Sequence, residues 1–178
     1  MNLKQLTAMT ILFFALLAVL FFFAFLYINN DIGIQGSKIE SDILTSQKID
    51  AGWHITGETS DSMAAYISYP EDLSDHTFSV YVKHPGLSFG YFFRCGGSLS
   101  TLIDSAIAEF TLDGYNESAF ISMNQQKVNR VVLDDGNSPQ VIEIDSSKPF
   151  AMVLPMNEGV VTFYTEDGNI SEVYENPL

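Results

Sequence analysis

The sequence predicts a mainly β protein: a single, mostly antiparallel β-sandwich, Ig-like or jelly-roll-like, preceded by one N-terminal transmembrane helix. Three observations predict it. Ile11 to Ile28 is an unbroken run of 18 apolar residues. From Trp53 onward the dominant hydrophobic period is two. Short runs rich in β-branched and aromatic residues recur about every ten residues, separated by Gly, Pro, Asn and Asp, the rhythm of a sandwich or barrel.

The 178-residue chain carries 22 acids and 8 bases, a formal charge of −14. That average joins two unlike pieces. Residues 1–30 hold 23 apolar residues, no acid and one base, Lys4, whereas residues 31–178 hold all 22 acids and 7 bases, a net −15. So acidic a domain repels nucleic acid, which needs clustered Lys and Arg against phosphate. It also gains nothing from anionic lipid headgroups. A single cysteine, Cys95, excludes an intrachain disulfide framework and a Cys-rich zinc site.

The anchor comes first in the chain. Ala8 and Met9 extend the apolar run across Thr10 to residues 8–28, about 31 Å of helix against a hydrocarbon core of about 30 Å. Tyr27 and Asn29-Asn30 stand where an interfacial ring and a polar stop belong. A cleaved signal peptide would have a shorter apolar region and a small-x-small site after it, so the helix reads as uncleaved. Lys4 precedes the span, and Lys38 and Lys48 are the first bases beyond it. This orients residues 1–7 as a short cytoplasmic tail and the rest as extracytoplasmic at the cell membrane. The span has no Gly-x-x-x-Gly, no stripe from Ala15, Ala18 and Ala24, and no ionisable residue, which favours anchoring over transport.

Residues 29–52 read as a spacer. Within it Ser37-Lys38-Ile39-Glu40 fits a capping box, and Ile39, Ile43 and Leu44 share one helical side. The β domain then runs over 53–178. Met63–Tyr69 alternates imperfectly. Phe78–Val82 and Leu87–Phe93 alternate well around His84-Pro85-Gly86, predicting a hairpin. Strands are further expected over 118–123, 128–133, 140–145, 151–154, 160–165 and 170–174. Leu99, Leu102, Ile103, Ala106, Ile107 and Phe110 form a helical stripe, but Ala106 to Leu112 also alternates. A helical turn near 98–104 leading into a strand is the expectation there, with a helix over 98–110 as the alternative.

The search for chemistry yields no assignable catalytic, cofactor-binding or metal-ligating residue, and no cofactor. His54, His76 and His84 lack ligand spacing. Cys95 has Arg94 beside it, but continues the face of Phe89, Tyr91 and Phe93 and reads as a packed, inert thiol. Gly96-Gly97-Ser98 is a weak phosphate-loop signal. Carboxylate pairs such as Glu71-Asp72 are too common in this chain to mark a glycosidase. Asp134, Asp135 and Asn137 around Gly136, and Glu166, Asp167 and Asn169 around Gly168, offer oxygens for weak calcium binding. The same residues are favoured turn formers. Trp53, Tyr81, Tyr115 and Tyr164 are candidates for a sugar-stacking platform. Asn116-Glu117-Ser118 and Asn169-Ile170-Ser171 match the glycosylation tripeptide, but the lack of disulfides points to a bacterial envelope.

The expectation is therefore a membrane-held, non-enzymatic interaction module, its partner an envelope or secreted protein carrying a basic patch. The alternatives are an envelope hydrolase using Cys95 or convergent His and Asp residues, and an accessory subunit of a membrane complex.

Overall fold

The computed structural model describes residues 3–86, 88–99, 105–156 and 159–178. Helix α1 (Leu3–Ile28) leads into a 3-10 turn (Gly36–Lys38) and helix α2 (Ile39–Ser46). The strands are β1 (His54–Thr59), β2 (Met63–Tyr69), β3 (Thr77–Val82), β4 (Phe92–Gly97), β5 (Ile107–Thr111) and β6 (Glu117–Ser122). They continue with β7 (Val128–Asp134), β8 (Gln140–Glu143), β9 (Phe150–Pro155), β10 (Val160–Thr165) and β11 (Val173–Pro177). The protein is mainly β, with antiparallel sheets behind one apolar helix. Thr7–Ile28 of α1 is long and apolar enough to cross a membrane.

The strands assemble into three sheets. The first has the order β1-β2-β3-β4, the middle one β11-β5-β6-β9, and the third β10-β7-β8. Strand β11 departs from the antiparallel rule by lying parallel to β5, with Val173 opposite Ile107. Alternate residues of the middle sheet point to opposite sides. Ala108, Phe110, Ala119, Ile121, Ala151 and Val153 pack against Ala65, Ile67, Phe78 and Val80 of the first sheet. Ile107, Phe120, Phe150, Met152 and Leu154 pack against Val128, Val131, Leu133 and Phe163 of the third. Both faces of the middle sheet are covered, so its strands read as nearly continuous apolar runs. The sandwich is a stack of three sheets with two cores.

Helix α2 adds a fourth layer. Its Ile39 and Ile43 are fully buried against Ala64, Tyr66, Tyr81 and Tyr91 on the outer face of the first sheet. Each isoleucine stabilises that layer by roughly 1.5–3 kcal/mol as an upper figure. Tyr81 adds a hydrogen bond from its hydroxyl to the Asp42 carboxylate, 2.7 Å. Strand β2 is thus covered on both sides, which is why Met63–Tyr69 alternates so poorly. The Ser37–Glu40 capping box does not form. The 3-10 turn precedes α2 instead, and Lys38 at its N-cap makes no side-chain cap bond.

The segment between α1 and α2 is fastened as well. Gly33 N–H donates to the Phe89 carbonyl at 2.6 Å and Phe89 N–H to Asp31 at 2.8 Å. Ile34 and Tyr91 exchange a pair of bonds at 2.7 and 2.8 Å. The hairpin expected over 78–93 forms, but 89–91 leaves β3 to pair with this connector, so β4 begins at Phe92. Two glycines permit the approach. A Cβ on Gly33 would lie 2.5 Å from the Tyr91 carbonyl oxygen, and one on Gly90, at φ +85°, 2.7 Å from that of Ile34.

Other differences from expectation have local causes. Between β3 and β4 the register passes from Val80 opposite Cys95 to Tyr81 opposite Phe93, leaving Arg94 as a bulge residue. The bulge inverts the alternation. Cys95 packs on the main core, whereas Tyr91 faces α2, so the two do not share a face. The strand expected at 170–174 is β11, shifted to 173–177, and Ile170 makes only an isolated bridge to Tyr164. Of the ambiguous 98–110 stretch, the strand portion is β5, while residues 100–104 lie outside the described residues. Strand β1 is exposed along much of its length. Its Glu58 accepts the Val153 N–H at 3.3 Å, capping part of the outer edge of β9.

Candidate functional site

The first sheet has a near end, where the connector from α1 enters beside Tyr91, and a far end, about 20 Å away along the seven residues of β2. The far end carries an open cleft of about 520 Å³. Strand pairing places His54 of β1 opposite Tyr69 of β2, and their rings lie 5.6 Å apart. His54 Nε2 is 2.5 Å from Glu71 Oε2. The facing wall is the loop from β8 to β9, with Ser147, Lys148 and Pro149. There Lys148 Nζ sits 3.0 Å from Asp145 Oδ2, and Ser147 Oγ donates to Asp145 Oδ1 at 2.6 Å.

These contacts fix the charges in the cleft. The Ser147 hydroxyl first, then Lys148, hold the Asp145 carboxyl down at about 2. Asp145 in turn raises Lys148. Burial raises the Tyr69 phenol, with Lys148 opposing. At neutral pH the cleft presents a cation–carboxylate pair opposite the His54–Glu71 pair, over an aromatic floor. The loop is pinned from within by Asn124, a buried residue at φ +57°. Its Nδ2 donates to the carbonyls of Val128, Asp145 and Lys148, and its Oδ1 accepts the Val128 N–H. Left-handed backbone is tolerated by Asn better than by most residues.

A second cleft, about 480 Å³, opens at the near end between Lys83-His84-Pro85 and Gly114–Glu117. Glu117 accepts the hydroxyls of Ser60 and Ser62. Lys83 lies 4.8 Å over the Tyr91 ring, and Tyr115 donates to the Lys83 carbonyl. Glu117, Ser62, Lys83 and Tyr115 are thus engaged within the wall itself.

The residues singled out as chemistry do not converge. Cys95 is half-buried, and burial pushes its thiol up to about 11 despite Arg94, so the thiolate is scarce at neutral pH. The three histidines are engaged separately. His54 is with Glu71, His76 Nε2 accepts the Leu99 N–H at 2.9 Å, and His84 stacks on Phe92 at 3.8 Å. Asp134 and Asp135 accept the backbone N–H groups of Gly136, Asn137 and Ser138, as turn formers do. Among the described residues no three His, Cys, Asp or Glu side chains gather as a metal site. Of the four aromatic residues proposed as a platform, Tyr81 is buried under α2.

Asn124 escaped the sequence reading because Asn124-Gln125 before Lys127 looks like any polar turn. The buried carboxyl of Glu109, on the side of the middle sheet facing the third, escaped it too. Comparison of the chain with protein-family models, with curated proteins and with solved structures gives no significant match.

Proposed function

We propose that this chain is a single-pass membrane protein, anchored by α1 with residues 29–178 extracytoplasmic, and that its β domain is a non-enzymatic recognition module. The far cleft is the observation that carries this reading. It combines open volume, the Tyr69 ring, the Lys148–Asp145 ion pair, the His54–Glu71 contact and a loop pinned by Asn124, and it lies at the end of the sheet away from the anchor. Recognition by loops held on a rigid sheet scaffold is common physics. The domain's net −15 favours an envelope or secreted protein presenting a basic patch.

The test is affinity capture of the tagged full-length protein from gently solubilised membranes, beside two variants. A cleft variant combines His54→Ala, Glu71→Ala and Lys148→Glu. A helix variant replaces residues 8–28 with an unrelated apolar helix. A partner retained by the helix variant and lost by the cleft variant supports the reading. Retention by the cleft variant refutes the cleft as the site. Loss with the helix variant alone favours an accessory subunit whose span makes the contact.

A further inference from the structure

The end of α1 and the pair Ile32–Phe89 share an unusual position. Leu26, two residues from the helix end, is 1% exposed, while its neighbours Phe25 and Tyr27 are 61% and 76% exposed. The folded part of the chain therefore covers one side of the last helical turn. Asp31 N–H bonds back to the Leu26 carbonyl at 2.9 Å, so Ile32 follows a residue held against that turn. Ile32 then bridges to Phe89, and both side chains stay open, at 46% and 52%. Two positions further along the same ribbon, Ile34 and Tyr91 are packed under α2. The apolar stripe thus runs out of the core toward the helix end and stops uncovered beside it.

We propose that Ile32 and Phe89 are a second membrane contact, seated in the interfacial zone of the bilayer that α1 spans. The inference rests on that spanning role. The interfacial zone is about 5–7 Å deep on each side of the hydrocarbon core. Adjacent Cα atoms are about 3.8 Å apart, so a residue one step beyond Asp31 stays within reach of it. Asp31 and the acidic domain disfavour anionic headgroups, so the contact is apolar and suits zwitterionic lipid. Docking there fixes the tilt of the whole domain, because Phe89 is bonded to the connector on both sides of its peptide.

Full-length protein carrying Trp53→Phe is placed in phosphatidylcholine nanodiscs with and without brominated acyl chains. One tryptophan is then introduced at a time: Tyr27→Trp, Phe89→Trp, or Val141→Trp on the third sheet. Emission at 27 and at 89 should be quenched at least threefold more than at 141. Quenching at 27 with position 89 resembling 141 overturns the contact and leaves the anchor standing. No quenching at either overturns both. Protection of position 89 from bromolipid and from aqueous iodide alike means protein covers it, which also refutes the proposal. Ile32→Cys in a Cys95→Ser chain, spin-labelled, gives an independent measure: greater accessibility to oxygen than to a polar nickel complex is expected, and the reverse overturns it.

Discussion

Asn124 grips Val128 at both of its main-chain groups: Oδ1 accepts the Val128 N–H at 2.7 Å while Nδ2 donates to the Val128 carbonyl at 3.1 Å. The same amide reaches the carbonyls of Asp145 and Lys148. One buried side chain therefore ties the start of β7 to a wall of the far cleft. Asn124→Ala leaves the buried Val128 N–H and carbonyl without these bonds and keeps a strained φ, costing about 2–4 kcal/mol. Thermal melts of the full chain in detergent check this. Asn124→Gly relieves the backbone but not the lost bonds, so it should recover only a minor part.

The Tyr81–Asp42 bond makes a pH-dependent prediction. Burial, reinforced by the Asp42 charge, raises the Tyr81 phenol well above its ordinary 10. A raised pKa in the folded state means stability is fully present below pH 10 and is lost as pH rises through the folded value. Tyr81→Phe should cost about 1–2 kcal/mol at neutral pH. Its stability should then fall less steeply than that of the native chain above pH 10. Hydrogen exchange in α2 should quicken in the variant, and unchanged exchange would refute the fastening role.

Glu109 predicts the opposite sign at neutral pH. Burial raises its carboxyl, the Ser118 hydroxyl opposes, and the Glu175 charge adds to the rise. Its charge at pH 7 therefore opposes folding. Glu109→Gln should raise the melting temperature at pH 7, and the gain should fade below the ordinary pH 4.5. A gain independent of pH would refute ionisation as its cause.

The connector stands on two close approaches. Gly33→Ala puts a methyl group 2.5 Å from the Tyr91 carbonyl oxygen, and Gly90→Ala adds a left-handed φ. Each should cost roughly 1–3 kcal/mol by overpacking. The amides of Gly33, Ile34, Phe89 and Tyr91 should exchange faster, read by mass spectrometry. Gly86→Ala, with open space around its Cβ position, is the matched control at positive φ.

Much of the fold was legible because period and punctuation act locally. Phe78–Val82, Val128–Leu133 and Val160–Thr165 lie between turn residues and form strands nearly where expected. What escaped depends on the third dimension. Nothing in Phe89 to Cys95 signals that Arg94 is a bulge, yet that residue decides which core receives the thiol. Likewise, Ile39 and Ile43 suggest an amphipathic turn without revealing the sheet beneath it. The far cleft was illegible for the same reason. Its walls, His54–Glu71 and Asp145–Lys148, stand more than seventy residues apart, and only the stacking of sheets brings them face to face.

The parallel pairing of β11 with β5 sets the order in which the molecule can be completed. Strand β5 borders β6 on one side, and its other edge stays open until residues 173–177 arrive to close it. That closure joins segments more than sixty residues apart, so the loop must be paid for in entropy before its contacts form. Until that closure the hydrophobic middle sheet holds an unpaired edge along β5. A chain in which residues 173–177 fail to pair keeps that edge of β5 open, and an open, apolar edge favours edge-to-edge association with another chain.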